Sequence, residues 1–371
     1  MHILWVNDHA DFTGGCERYI ADMVTKIKSM GIRSTLLYQV GSPISPYFTQ
    51  LFEGCFPVVD LPNQLENLKP DLIYVHSVNS ADTIKQLVKC EIPSIRFFHD
   101  QKTFCLREHK YTAIGHKTCD KPVSNACYSC LGFVKKSQTS GLLSFKSVKT
   151  QKQEIDNNRG FDHFVVGSNY MKSELAKHGF PVEKITVASL FSKAASNLPE
   201  SSLANRYLVH PLQILFVGQL IRGKGLDTLL EAMANSTEHY QLVVCGQGKM
   251  EAEYKAQALK LGISSRVHFM GHMSQDSLKM QYRQSAAVVI PARAPETFCL
   301  VGLEALLEGT PVIATNVGGM SEWFKPGYNG LEFPPNNAAA LTDAMDQLIG
   351  DQDLQISIRN NIKNDSYEKF G

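Results

Sequence analysis

A chain of 371 residues with 43% hydrophobic, 9% aromatic and 20% charged side chains has the apolar mass for about two or three packed domains, which excludes a largely disordered protein. A formal net charge of +1 gives the chain as a whole no field for nucleic acid or another polyanion. No run of about 20 apolar residues occurs. The opening MHILWVNDHA has no basic leader and the nine cysteines are odd in number, so the expected setting is a reducing cytoplasm.

Strand-like and helix-like segments alternate. HILWV reads as a first strand. From Glu17 to Met30 the residues Tyr19, Ile20, Met23, Val24 and Ile27 keep helical spacing, and Gly31 stops the run. IRSTLLY, DLIYVHS, SIRFFH and FDHFVVGS read as further strands, with helical stretches such as Ala81–Val88 between them. The pattern breaks at 192–211, where SKAASNLPESSLANRYLVHP is rich in Ser, Ala, Asn and Pro and is expected to be an interdomain linker. It restarts with LQILFVG, a helix from Leu226, QLVVCG, a helix near Lys249, RVHFMG, a helix over Gln275–Gln284, AAVVIPA, a helix from Leu300, and PVIAT. This predicts an α/β chain with two Rossmann-like, doubly wound domains at 1–195 and 205–350 facing across a cleft, and a last helix over 351–371 that could pack back on the first.

Residues 101–160 interrupt the alternation and read as an insertion in the first domain. Charge concentrates there: residues 96–152 hold 11 basic and 3 acidic side chains. Such a region is either a solvated face or a surface for anionic lipid or a phosphate-bearing acceptor. Between Lys135 and Lys152 the basic residues interleave with Leu142, Leu143, Phe145 and Val148, a short apolar face suited to peripheral membrane contact.

Several segments could carry chemistry. Ala294-Pro-Glu-Thr-Phe-Cys-Leu-Val-Gly-Leu-Glu304 follows a strand and runs into a helix. The amides of Cys299, Leu300 and Val301 then lie near a helix N-terminus, a ready site for a diphosphate, with Glu296 in the loop and Glu304 inside the helix. Read alone, the two carboxylates are equally a surface residue and a first-turn residue. In Phe216-Val-Gly-Gln-Leu-Ile-Arg-Gly-Lys-Gly a strand ends at Gly218, and Arg222 and Lys224 precede the next helix. Cations there suit phosphate oxygens, though a plain basic loop has the same composition. Gly246-Gln-Gly-Lys lacks the third glycine of a dinucleotide fingerprint, so NAD binding is not expected. In the first half, Gly14 and Gly15 sit between the first strand and helix, where a backbone without Cβ atoms can approach a ligand or simply turn. His99 and Asp100 end a buried strand, and His178 and Gly179 read as a plain helix end.

In order and spacing, the pieces Gly14-Gly15-x-Glu17, His99-Asp100, Val166-Gly-Ser-Asn-Tyr, Phe216-Val-Gly-x-Leu with Lys224-Gly225, Glu296-x7-Glu304, Gly309-x-Pro-Val-Ile-Ala and Gly318-Gly319 resemble the family 4 glycosyltransferases, from about residue 1 to 350. The resemblance implies the two-domain GT-B fold. It implies a retaining transfer of sugar from a nucleoside diphosphate sugar to a glycan or lipid-linked acceptor, as in cell-surface polysaccharide synthesis, without a catalytic metal. It places Lys224 on the donor diphosphate with Gly15 and its neighbour Gly14 against it. Glu296 falls on the transferred sugar, Glu304 on the ribose, the amides at Leu300 and Val301 on the distal phosphate, and His99 near the sugar. Gly218 and Arg222 complete the donor loop. Two positions depart from the family pattern: Gln219 replaces an arginine, and Cys299 replaces a glycine. They keep open a degenerate donor site in a glycan- or partner-binding protein. A nucleotide-sugar epimerase on the same architecture is the other alternative.

The insertion holds Cys105, Cys119, Cys127 and Cys130, the last two as C-x-x-C, with His109 and His116 nearby. A structural zinc on the four cysteines would tie down a segment too polar to form its own core. A disulfide or redox pair and unlinked thiols are the other readings. Some members of the family carry a similar cysteine-bearing insertion after the His-Asp pair.

Overall fold

The computed structural model describes residues 1–112, 115, 117–136, 143–190 and 210–365. They form two compact units, one up to residue 190 apart from a short stretch ending at Cys119, and the other beyond it. The linker expected over 192–211 lies outside the described residues up to 209. Its last two residues, His210 and Pro211, open a strand instead. A proline is tolerated there because the start of a strand needs no ladder donor from it.

The strands are β1 (His2–Val6), β2 (Arg33–Tyr38), β3 (Gly54–Pro57), β4 (Leu72–Val75), β5 (Ser94–Phe98), β6 (Val134–Lys136), β7 (Leu143–Phe145), β8 (His163–Val166) and β9 (Ile185–Val187) in the first unit. Those of the second are β10 (His210–Val217), β11 (Gln241–Cys245), β12 (Val267–Gly271), β13 (Ser285–Ile290), β14 (Val312–Ala314) and β15 (Gly330–Glu332). The first unit has a parallel sheet in the order β3-β2-β1-β4-β5-β8-β9, and β6 and β7 form a separate antiparallel hairpin. All five residues of β1 are buried, which is why HILWV is an unbroken apolar run: a central parallel strand is covered on both faces. The helix Gly15–Lys28 lays Tyr19, Ile20, Ala21, Val24 and Ile27 inward, the stripe its periodicity predicts.

The second sheet runs β12-β11-β10-β13-β14-β15. Its helix Leu226–Asn235 buries Leu226, Leu229, Leu230 and Met233 at 0% exposure. Each such side chain contributes about 1.5–3 kcal/mol of hydrophobic stabilisation. The final helix, Gln352–Asn364, is also docked on the second unit. Ile358 and Ile362 are buried, and Arg359 donates to the carbonyls of Gly309, Ser285 and Ala286. Residues 366–371, and with them Tyr367 of the expected return to the first domain, lie outside the described residues.

The insertion is anchored by charge and apolar side chains. Phe104, Leu106, Tyr111 and Val123 are buried. The Lys110 ammonium, 1% exposed, lies 2.8 Å from Glu174 Oε2 and donates to the carbonyl of Lys121 at 2.7 Å. His178 proves to be more than a helix end, since its Nε2 accepts the Val123 N–H at 3.1 Å. The apolar residues of 135–152 do not share one face: Val148 enters the core, while Phe145 on the hairpin is 72% exposed. Leu142 lies outside the described residues.

Candidate functional site

In both sheets the strand order reverses beside the first strand of the unit: between β1 and β4 in one, and between β10 and β13 in the other. Crevices beyond the carboxyl ends of such strand pairs are where doubly wound sheets bind ligands. The predicted donor residues of the second unit converge on its reversal point. Lys224 follows β10 and Glu296 follows β13, and the Lys224 ammonium donates to Glu296 Oε1 at 2.7 Å.

Two backbone features bring these loops together. The carbonyl of Gly223 accepts from the amides of Arg293 and Ala294 at 3.0 and 3.1 Å. Gly225 has φ of +73°, and a Cβ on it would lie 1.9 Å from the Pro291 carbonyl oxygen, so only glycine allows the approach. Glu296 is fixed from its other side by a bridge to Gly318, through Gly319 N–H to Glu296 O at 2.7 Å and Glu296 N–H to Val317 O at 3.3 Å. Burial would push the Lys224 ammonium down, but the Glu296 carboxylate outweighs it and raises it above the ordinary lysine value. The pair is a fixed cation and a fixed acceptor side by side, equipped for a phosphate oxygen and a sugar hydroxyl.

Beside the pair, Cys299 precedes the helix Leu300–Leu307 in a left-handed conformation, φ +67°. That conformation favours glycine and costs a side chain about 1–2 kcal/mol. Cys299 is 9% exposed, and burial together with Glu296 pushes its thiol up to about 12, so it is protonated at neutral pH. The first amides of this helix, at Leu300 and Val301, have no carbonyl one turn back to bind within the helix. Glu304, one turn further in, accepts the Tyr282 hydroxyl at 2.9 Å. Gly302 stands against Trp323, whose indole N–H donates to the Phe298 carbonyl at 2.7 Å and fixes the loop before the helix.

Arg222 pairs with an acidic side chain other than Glu296. Its guanidinium lies 3.4 Å from Glu253 on the exposed surface, and Gln219 is exposed as well. Gly218 ends β10 with its amide on the Cys245 carbonyl at 2.9 Å, and a Cβ there would be 3.9 Å from the Lys224 side chain. Sequence reading missed Tyr282 and Trp323, which come from other helices and turns and match no motif. It also missed Arg293, which is 4% exposed and paired with Asp227 at 2.8 Å.

The first unit gathers a different set at its own reversal point. Gly14 is extended, φ −178°, and a Cβ on it would meet nothing nearer than Glu17 Oε2 at 3.8 Å, so the fold itself does not require glycine there. Gly15 starts the helix, and Glu17 is buried with Oε1 accepting from the Asn7 amide at 3.1 Å. His99 follows β5, and its Nε2 is 2.8 Å from Nδ1 of His76, which follows β4. Burial, and then the Arg96 guanidinium, lowers the His99 imidazole to about 3, so it is neutral at pH 7. The four insertion cysteines do not converge in this way. Cys105, Cys119, Cys127 and Cys130 are half-buried, and the three-donor cluster found among the described residues is Cys16, His76 and His99. Cys127 and Cys130 lie at a four-residue helix, Ala126–Ser129.

Residues 206–365 match the model of the family described as glycosyl transferases group 1. A curated uncharacterized glycosyltransferase of Methanocaldococcus jannaschii is 37% identical over 159 residues, which are 42% of this chain and only 40% of that one. A D-inositol 3-phosphate glycosyltransferase of Corynebacterium urealyticum is 26% identical over 383 residues, covering 93% and 84%. Among solved structures, Anabaena HepE in complex with UDP and glucose superposes with a TM-score of 0.73 at 18% identity, covering 99% and 95%. WaaG, a glycosyltransferase involved in lipopolysaccharide biosynthesis, gives 0.68 at 16% identity, covering 100% and 96%. The two parallel-sheet, Rossmann-like units are the architecture of GT-B glycosyltransferases. The match to the glycosyl transferases group 1 model thus falls on the second unit of this chain.

Proposed function

We propose that the chain transfers a sugar, with retention of configuration, from a nucleoside diphosphate sugar to a hydroxyl of a glycan or lipid-linked glycan. The observation that carries the reading is the Lys224–Glu296 pair, 2.7 Å apart at the strand-order reversal of a group 1 domain and beside a helix N-terminus. A UDP–glucose complex of a relative in fold supports the ligand class. Lys224 and the amides at Leu300 and Val301 hold the diphosphate, Glu296 the hydroxyls of the sugar, and Glu304 the ribose. The family resemblance further implies donor contacts for Gly14, Gly15 and His99 of the first unit. In the reaction the bond from the anomeric carbon to the phosphate oxygen breaks and a bond to the acceptor oxygen forms on the same face. The acceptor proton passes to the leaving phosphate, whose charge Lys224 and the amides stabilise. No step needs a metal. No described helix is long and apolar enough to cross a membrane. The work is placed in the cytoplasm, with the basic 96–152 region and the exposed Phe145 suited to peripheral contact with an anionic membrane face.

The test is a thermal-shift series with UDP, GDP, ADP, CMP and their sugar conjugates, followed by turnover with the conjugate that binds. A ligand at 100 times its Kd adds about 2.7 kcal/mol of stability, a shift of several degrees. One nucleoside diphosphate stabilises the chain, and Glu296→Gln lowers transfer more than tenfold while the shift persists. If none stabilises it, the binding-protein reading replaces this one; release of free nucleotide and epimerised sugar without acceptor would make it an epimerase.

A further inference from the structure

We propose that Cys16, His76 and His99 form a zinc-binding site at the strand-order reversal of the first unit. Three loops that are remote in sequence meet there: the first turn of the helix Gly15–Lys28, the end of β4 and the end of β5. The Cys16 thiol and one nitrogen from each imidazole all lie within 4.8 Å of one another. The facing nitrogens of His76 and His99 are 2.8 Å apart. Ligands on a tetrahedral zinc with nitrogen bonds near 2.0–2.1 Å stand about 3.3 Å apart, so the pair need open by only about 0.5 Å.

The donors suit zinc and not a hard cation. Two imidazoles and a thiol are the ligands of zinc and its neighbours, whereas calcium and magnesium demand oxygen. A bare hydrogen-bonded histidine pair would have no use for the thiol. Here the thiol is built in, accepting the Ser77 hydroxyl at 3.4 Å and reaching Asn7 Oδ1 at 3.6 Å. Asn7 Oδ1 also takes the Ser77 amide at 3.0 Å, so the supporting shell is fixed. Trp5 stacks on His76 with centroids 5.3 Å apart.

Charged groups surround the site. The Glu17 and Asp100 carboxylates lie near Cys16 and oppose the buried Arg96 guanidinium, which donates to the His76 carbonyl. A cavity of about 30 Å³ lined by His76, Ser77, Arg96, His99, Asp100 and Lys102 adjoins both imidazoles and has room for about one water. On binding, the Cys16 thiol gives its proton to solvent. Whichever facing imidazole nitrogen carries the shared proton passes it to the other nitrogen of its ring. Zinc in this position engages His99, so it would inhibit any reaction that uses that side chain.

The test is a cobalt(II) titration of the full chain under reducing, oxygen-free conditions, with zinc as competitor. Expected is one cobalt per chain with a thiolate-to-cobalt charge-transfer absorption that zinc abolishes. Cys16→Ser removes that absorption and weakens cobalt binding at least tenfold, and His99→Gln, at a half-buried loop position, weakens it as much. The double variant Cys127→Ser/Cys130→Ser leaves it unchanged. No thiolate absorption in the parent chain, or one that survives Cys16→Ser, overturns the inference. So does an absorption that disappears with the insertion cysteines. None of these readouts depends on sugar transfer, so a chain that transfers sugar and binds no cobalt would overturn this inference alone.

Discussion

The two sheets reverse strand order in the same way, yet different side chains meet at their reversal points. In the second unit the crevice carries full charges, Lys224 against Glu296 at 2.7 Å, beside a helix N-terminus. In the first it carries two neutral imidazoles and a thiol, with His76 entirely buried. The same backbone scaffold thus presents a lysine–glutamate pair at the reversal point of one half and a thiol with two imidazoles at that of the other. Topology decides where a site forms, and the side chains at two or three strand ends decide what it can hold.

The contrast breaks most sharply at Lys224. Lys224→Ala removes the fixed cation from the second crevice and is expected to lower sugar transfer about a hundredfold, the usual cost of one preorganised charge on a developing oxyanion. Nucleoside diphosphate binding, read by thermal shift, falls with it. Glu296 is then left without its cation at 13% side-chain exposure, so circular dichroism is the control that the variant stays folded. Unchanged transfer would move the phosphate site elsewhere.

Much of this was legible in the sequence because it depends on periodicity and on loop composition. Buried parallel strands read as apolar runs, and Lys224 and Glu296 each stand in a short loop directly after such a run. Their pairing was not legible, since it depends on the Gly223 carbonyl accepting from the amides of Arg293 and Ala294. In the insertion the C-x-x-C spacing is legible as a zinc expectation, whereas the contacts that hold the segment, Lys110 on Glu174 and Val123 on His178, are long-range and no spacing announces them. The metal-ligand cluster that did form draws on residues 16, 76 and 99, too far apart in sequence to make a motif.

Tyr282 sharpens the second crevice further. Its hydroxyl donates to Glu304 at 2.9 Å, and burial followed by that carboxylate raises the phenol well above its ordinary value, so it remains a donor. A hydrogen bond to a charged group is worth about 1.5–3 kcal/mol, so Tyr282→Phe is expected to weaken nucleoside diphosphate binding about tenfold. Inorganic pyrophosphate, which has no ribose, should bind the variant as it binds the parent chain. Equal losses for both ligands would take Glu304 off the ribose and leave it a support for the helix.

The smallest expected effect tests the backbone beside the pair. Cys299 holds φ at +67° before the helix Leu300–Leu307. Removing its side chain relieves about 1–2 kcal/mol of strain, but glycine then adds freedom to the unfolded chain worth about 0.4–1 kcal/mol. Cys299→Gly should therefore leave the midpoint of urea unfolding nearly unchanged. Cys299→Ala loses the buried thiol but keeps the strain, so the alanine variant should be the less stable of the two by about 1 kcal/mol. At most helix positions the order is reversed, with alanine ahead of glycine. An alanine variant as stable as the glycine one would mean that the turn before this helix is not left-handed in solution. The amides of Leu300 and Val301 would then be presented differently to a phosphate, and the two crevices would differ less than their strand-end residues suggest.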